Sequence, residues 1–116
     1  MAIAGNTGTY LNAPFHRFRH REDLSARSLE AVTGLPGLVL DAAPARGYPV
    51  GLDVDDEALT GRAVLVRTGW DERWGTNGYW RDAPCLPAAA VARLVAGRAA
   101  IVGGAAFPVR AFAEVP

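Results

Sequence analysis

The sequence predicts an α/β or mixed α+β fold on three observations. Three short apolar runs, at residues 38–40, 63–66 and 100–102, each have the length and composition of a buried strand. An alanine-rich segment at residues 87–96 lies between the second and third runs and has strong helix propensity. Residues 63–103 therefore form a strand-helix-strand unit, which normally places its two strands in parallel.

The segments before the first predicted strand have weaker patterns. Residues 1–16 contain Gly5, Gly8 and Pro14, which favour a strand or loop over a helix. Apolar residues between positions 24 and 32, ended by Gly34, favour a short helix over about 25–32.

The structure of the later segments is predicted from residues that favour turns and helix caps. Pro44, Gly47 and Pro49 mark a connection after the first strand, and the acidic residues of 53–59 suit the solvated first turn of a helix. Pro87 is expected to open the alanine-rich helix, and Gly97, directly after that segment, is expected to end it.

The amino-acid composition limits the classes of function that the chain can have. The 116 residues suffice for one domain, and 12 basic residues balance 12 acidic ones. Because the chain has no net charge, it would not attract nucleic acid or an anionic membrane electrostatically, so neither is expected as a partner. The one cysteine, Cys85, is expected to be a small packed residue, and no stretch approaches the roughly 20 apolar residues of a membrane span. A cytoplasmic protein is therefore the expectation.

Two blocks of sequence carry a family resemblance. Residues 6–16 read NTGTYLNAPFH, and residues 64–71 read VLVRTGWD, with Trp74, Tyr79 and Pro84 following. The first block resembles the signature His-x-Gly-Thr-His-x-Asp-x-Pro-x-His of the cyclase and kynurenine formamidase family. The second is similar to that family's strand and aromatic loop. The resemblance covers nearly all of residues 6–103.

The resemblance implies a metal-dependent hydrolase of small amides or esters. In that family the first two histidines and the aspartate of the signature bind a divalent metal, commonly zinc, and the last histidine transfers protons. Carried over by position, the ligands fall on Asn6, Tyr10 and Asn12, and the proton-transfer residue falls on His16. A metal-bound water loses its proton near neutral pH and can attack a carbonyl carbon.

Three of these four positions depart from the family pattern. Asn offers a neutral carbonyl oxygen, and Tyr ionises only near a reference pKa of about 10, so the trio has lost ligand charge. The family's further histidine and glutamate ligands have no counterpart here. We therefore expect a degenerate site that holds zinc weakly or no metal at all, in one incomplete cyclase-type domain spanning residues 1–116.

Aromatic residues suggest where a small-molecule substrate would bind. Phe15, Trp70 and Trp74 are candidate substrate-binding residues, although aromatic side chains near glycine turns more often seal a core or a subunit interface. His20 lies outside the signature, within an arginine cluster, and is expected to be a surface residue.

Three functions remain open at this point. The first is hydrolysis resembling that of N-formylkynurenine in tryptophan catabolism. The second is a non-catalytic, cyclase-like protein that binds a ligand or forms oligomers, and the third is a fragment of a longer enzyme. A sheet that ends early leaves strand edges and apolar surface uncovered, which predicts a homo-oligomer.

Overall fold

The computed structural model describes residues 8–43, 52–79, 81 and 83–104. The chain divides into two units, Met1–Thr33 and Gly34–Pro116, which we call the first and the second unit. Within the described ranges, no helix has the length and apolar character needed to cross a bilayer. The connection predicted around Pro44, Gly47 and Pro49 lies outside the described residues.

A parallel three-stranded sheet organises the second unit. Its strands are β1 (Gly37–Asp41), β2 (Ala63–Arg67) and β3 (Ile101–Gly104), in the order β1-β2-β3. Both pairings are parallel. All three predicted strands and the parallel pairing of the last two are confirmed, as is the α/β class.

Two helices accompany the sheet, α1 (Asp56–Leu59) and α2 (Ala88–Ala96). The alanine-rich helix is confirmed, but it begins one residue later than predicted, because Pro87 takes the cap position with an extended backbone (φ −68°, ψ 157°). Gly97 is the C-cap, as predicted, and its N–H donates to the Arg93 carbonyl. The acidic residues Asp56 and Glu57 lie exposed in the first turn of α1, also as predicted.

One face of the sheet packs against the helices and forms the core. Its fully enclosed members include Val64 and Val66 from β2 together with Leu59 from α1. Gly97 is required at this contact, because a Cβ atom there would lie 2.5 Å from Leu59 Cδ1 and 3.2 Å from the Asp56 carbonyl oxygen. Cys85 is buried, which confirms its expected packing role.

The opposite face of the sheet is the more exposed one among the described residues of the second unit. We call it the open face, and it consists of the side chains that alternate with the core positions: Gly37, Val39, Asp41, Ala63, Leu65, Arg67, Ile101 and Gly103. Val39 is 60% exposed and Leu65 is 48% exposed, whereas Val64 beside them is fully buried.

The first unit is built from three single-turn 3-10 helices, at Pro14–His16, Leu24–Ala26 and Leu29–Ala31. The predicted helix over 25–32 is therefore wrong: Arg27 is extended (ψ 131°) and splits the segment in two. The Asp23 carboxylate accepts hydrogen bonds from the Ser25 and Ala26 N–H groups, and such local bonds compete with a continuous helix. Over residues 8–33 no side chain is buried, so no packed face favours a longer helix.

Candidate functional site

His16 lies at the end of a tight turn in the first unit. Ala13 is extended, and Pro14 then starts the 3-10 turn with its fixed φ. The His16 N–H donates to the Ala13 carbonyl at 3.0 Å, and the Phe18 N–H donates to the Pro14 carbonyl at 2.9 Å. The backbone of His16 is thus fixed by local hydrogen bonds, while its imidazole lies exposed to solvent.

A second set of local bonds closes the segment that follows. The Phe15 N–H donates to the Glu22 carbonyl at 3.0 Å, which brings the two ends of this loop together. Arg27 Nε lies 3.4 Å from Glu22 Oε2, although both side chains are well exposed, so this ion pair adds little. The turn that holds His16 is therefore stabilised from both of its flanks.

Asp23 anchors the end of this segment. Its carboxylate accepts a hydrogen bond from the Ser25 hydroxyl at 2.6 Å and from the N–H groups of Ser25 and Ala26. The pKa of Asp23 lies below its ordinary value of 3.8. The hydrogen bond from the Ser25 hydroxyl is the largest cause of this lowering, and the two backbone hydrogen bonds add to it. The carboxylate therefore stays ionised in its capping role at neutral pH.

The positions that correspond to metal ligands do not fit a tightly bound divalent ion. Asn6 lies outside the described residues, and Tyr10 and Asn12 are both exposed. No hydrogen bond links the side chains of Tyr10, Asn12 and His16, and the described ranges hold no group of three His, Cys, Asp or Glu side chains suited to a metal. A neutral amide and a phenol supply no charge to a zinc ion near neutral pH.

The aromatic loop, residues 69–79, follows β2 in the second unit, and the buried Trp70 begins its one described 3-10 helix, Trp70–Arg73. Gly69 enters the loop with a left-handed backbone (φ 70°), where an added Cβ would meet the Ala43 Cβ at 3.3 Å. The Trp70 indole is 3% exposed, its Nε1–H donates to the Tyr79 carbonyl at 3.0 Å, and the Arg73 guanidinium lies 4.3 Å over its ring. Trp70 therefore links the start of the aromatic loop to its end at Tyr79.

Trp74 has the opposite environment and is 71% exposed. Its ring meets Tyr79 edge to face, with centroids 5.0 Å apart and an angle of 87° between the planes. These two rings and the turn between them line an open concavity of about 260 Å³. A planar ring could lie against the exposed Trp74 face, so the predicted substrate-binding role depends on Trp74 more than on Trp70. Phe15, the third candidate, is half exposed in the first unit.

Three further polar residues of this region, Thr68, Thr76 and Asn77, are not among the predicted site residues. Thr68 is a buried polar residue directly after β2, and its hydroxyl accepts the Trp70 N–H at 3.3 Å. Thr76 and Asn77 line the concavity between the two aromatic rings. The run Gly75-Thr76-Asn77-Gly78 between aromatic residues was the available signal, because such residues form turns.

A comparison with protein-family models identifies the family of the chain. A family model described as "Putative cyclase" matches residues 1–107, a range that contains both the His16 turn and the aromatic loop. No curated protein and no solved structure matches the chain.

Proposed function

The chain belongs to the cyclase family, which includes kynurenine formamidase, and we propose that it hydrolyses small amides or esters with His16 as its proton-transfer residue. The observation that carries the proposal is His16 itself. It is the one signature position of the four discussed above that keeps the residue type of the family, and it lies exposed on a turn fixed by backbone hydrogen bonds.

The proposed step for His16 is proton transfer at the scissile bond. Imidazole is the side chain that most often accepts and donates protons in catalysis. When an amide is hydrolysed, a water molecule forms the new C–O bond and loses a proton, and the C–N bond breaks. An imidazole within hydrogen-bonding distance can take that proton and return it to the departing nitrogen. The fixed backbone of the turn limits the positions that the His16 ring samples, which favours this transfer.

No step is assigned to a metal, because Tyr10 and Asn12 do not fit one. If a divalent ion is bound, its chemistry would be to polarise the carbonyl and activate water. Either Asn6 and residues outside the described ranges would then have to strengthen the site, or a second chain would have to contribute ligands. Weak or absent zinc binding by the isolated chain is therefore part of the proposal.

The proposed substrate is a small aryl amide of the N-formylkynurenine type. Support comes from the concavity between Trp74 and Tyr79, which offers an exposed indole face and a perpendicular phenol ring. Thr76 and Asn77 add hydroxyl and amide groups that can hydrogen-bond a polar substituent.

A second candidate function is that of a non-catalytic cyclase-like protein, which binds a ligand or assembles into oligomers. The neutral, exposed side chains of Tyr10 and Asn12 favour it, because they lack the charge that metal-assisted hydrolysis needs. The remaining alternative, a fragment of a longer enzyme, predicts that added C-terminal sequence with His and Glu restores both metal binding and activity.

The first test compares two histidine variants of the full chain. His16→Ala and His20→Ala both remove an exposed imidazole of the first unit, but only the former removes the signature residue. Hydrolysis of an aryl formamide and of a lactone is measured with and without added zinc. We expect loss of about 100-fold or more in kcat/KM for His16→Ala and little change for His20→Ala. An inactive wild-type chain, or equal losses in both variants, would reject the hydrolase.

The second test asks whether the scaffold still forms a metal site. The triple variant Asn6→His, Tyr10→His and Asn12→Asp restores the family ligand types, and zinc affinity is followed by calorimetry. A gain of at least about 100-fold over the wild-type chain is expected if the turn still presents these positions together. No gain would show that substituted ligands are not the sole defect and would favour the non-catalytic candidate.

A further inference from the structure

The Arg73 side chain carries a positive charge in the aromatic loop that no carboxylate of the described residues balances. The ion pairs among those residues use three other arginines, Arg27, Arg67 and Arg93. No described residue accepts a hydrogen bond from the Arg73 guanidinium either, and the side chain is exposed. A guanidinium is charged at any physiological pH and offers five N–H donors, so Arg73 is equipped to bind an anion.

The buried ring of Trp70 positions this guanidinium. The guanidinium carbon of Arg73 lies 4.3 Å from the centroid of that ring, which is a cation–π contact. Trp70 is itself fixed, because it is 3% exposed and its Nε1–H donates to the Tyr79 carbonyl at 3.0 Å. An arginine that is already held in place loses less side-chain freedom when it binds a ligand, which favours binding.

Gly78 connects the guanidinium with the concavity between Trp74 and Tyr79. A Cβ atom at Gly78 would lie 3.8 Å from Arg73 Nη1 and 3.6 Å from Thr76 Oγ1, and Thr76 lines the concavity. The two side chains therefore flank one small space that glycine leaves open. The Arg73 carbonyl accepts hydrogen bonds from the N–H and the hydroxyl of Thr76, at 3.0 and 2.7 Å, which fix this arrangement.

We propose that Arg73 forms an anion-binding subsite of this concavity, which takes aromatic ligands that carry a carboxylate. The ring of the ligand lies against the exposed Trp74, and its carboxylate accepts charge-assisted hydrogen bonds from Arg73 over Gly78. The Thr76 hydroxyl already donates its hydrogen to the Arg73 carbonyl, so the selection for negative charge falls to Arg73. The inference rests on the proposed function in placing the substrate in this concavity, and it narrows the substrate to aryl amides with an acidic substituent.

The first experiment measures binding without hydrolysis. Benzoate and acetophenone have similar shapes, but only benzoate is charged, and neither has an amide or ester bond. Each is titrated at neutral pH into the isotope-labelled full chain, and the NMR signals of the Trp74 indole and the Gly75 and Thr76 amides are followed. We expect benzoate to bind at least about tenfold more tightly than acetophenone and to shift these signals. Equal affinities, no binding of either probe, or shifts confined to other residues would overturn the proposal.

The second experiment removes the charge. Arg73→Met keeps a long apolar side chain beside Trp70, and Arg81→Met is the matched control because it removes another exposed arginine charge just after the loop. Benzoate affinity should fall at least about tenfold in Arg73→Met and change little in Arg81→Met, while acetophenone affinity stays the same in both. Circular dichroism checks that both variants fold. Equal losses in the two variants would mean that benzoate responds to the general charge of the chain, and the subsite would be rejected.

Gly78→Ala tests the same subsite with every charge in place. The added methyl group meets Arg73 Nη1 and Thr76 Oγ1 at ordinary contact distances, so the loop should still fold. Because the methyl group occupies the space over which the carboxylate lies, benzoate affinity should fall at least about threefold, with little change for acetophenone. Unchanged benzoate binding in this variant would locate the carboxylate elsewhere and contradict the proposal.

The subsite and the hydrolase can fail separately. A chain that prefers benzoate at this site but hydrolyses no aryl formamide supports the subsite and rejects the hydrolase. An active chain that binds benzoate and acetophenone equally retains the hydrolase and rejects the subsite.

Discussion

The first unit carries the signature turn and the second unit carries the core, and they are stabilised by different means. Residues 8–33 have no buried side chain, and their three single turns are held by hydrogen bonds between near neighbours in sequence. The second unit instead joins distant segments, since β1, β2 and β3 pair across long stretches of chain and bury Leu59, Val64 and Leu94. The residue proposed for chemistry thus lies on a turn that local hydrogen bonds determine.

The largest expected effect contrasts two leucines. Leu59→Ala removes a fully buried side chain from the second unit and should lower the free energy of unfolding by about 2–5 kcal/mol. Leu29→Ala removes a leucine that is 72% exposed in the first unit and should change it by less than about 0.5 kcal/mol. Urea denaturation measures both. Similar losses would mean that the first unit is packed more than its exposure indicates.

The next effect contrasts two glycines within the second unit. Gly97→Ala places a methyl group 2.5 Å from Leu59 Cδ1 and should destabilise by about 1–3 kcal/mol. Gly37→Ala meets no atom within 4 Å and should be neutral or slightly stabilising, because alanine restricts the unfolded chain. Thermal unfolding followed by circular dichroism separates the two. A neutral Gly97→Ala would show that Leu59 can move away without loss.

Two tryptophans of the aromatic loop give a smaller effect. Trp70→Phe loses the hydrogen bond to the Tyr79 carbonyl and should cost about 1–2 kcal/mol. Trp74→Phe alters an exposed ring and should cost less than about 0.5 kcal/mol. Chemical denaturation of each variant supplies the values. A larger loss of stability for Trp74→Phe than for Trp70→Phe would mean that Trp74 stabilises the loop, contrary to the exposures of the two rings.

The smallest expected effect is the pH dependence of the Asp23 cap. Because the pKa of Asp23 is lowered in the folded chain, its stabilising contribution is fully present above 3.8 and is lost as pH falls through the lower folded value. The amide signals of Ser25 and Ala26 should shift in that acidic range in an NMR titration, while the amide of Phe18 serves as the internal control. Asp23→Asn should abolish the shift, and an unchanged shift would exclude the carboxylate as its source.

Much of the second unit was predictable because its signals are strong and local. The apolar runs gave β1, β2 and β3, and the alanine-rich segment between its proline and glycine gave α2. The helix predicted over 25–32 failed because apolar spacing alone does not show whether a packed surface exists to receive it. The Asp23 carboxylate also competes with a continuous helix through its local hydrogen bonds, and apolar spacing does not reveal such competition.

The candidate site was predictable only in part. The signature spacing located His16, and the family match over residues 1–107 supports the resemblance on which that choice rested. Sequence treated Trp70 and Trp74 alike, whereas one ring is enclosed and the other exposed. That difference arises from the Trp70–Tyr79 hydrogen bond and the left-handed Gly69, neither of which follows from residue type.

The sequence by itself determined the elements of the second unit and the family, because composition, propensity and spacing are local properties. Only the tertiary structure decided which strand face is covered, which tryptophan is buried and why Gly97 must lack a side chain. Those outcomes depend on contacts between residues far apart in sequence, and the pattern of a single strand does not reveal which of its two faces meets a helix.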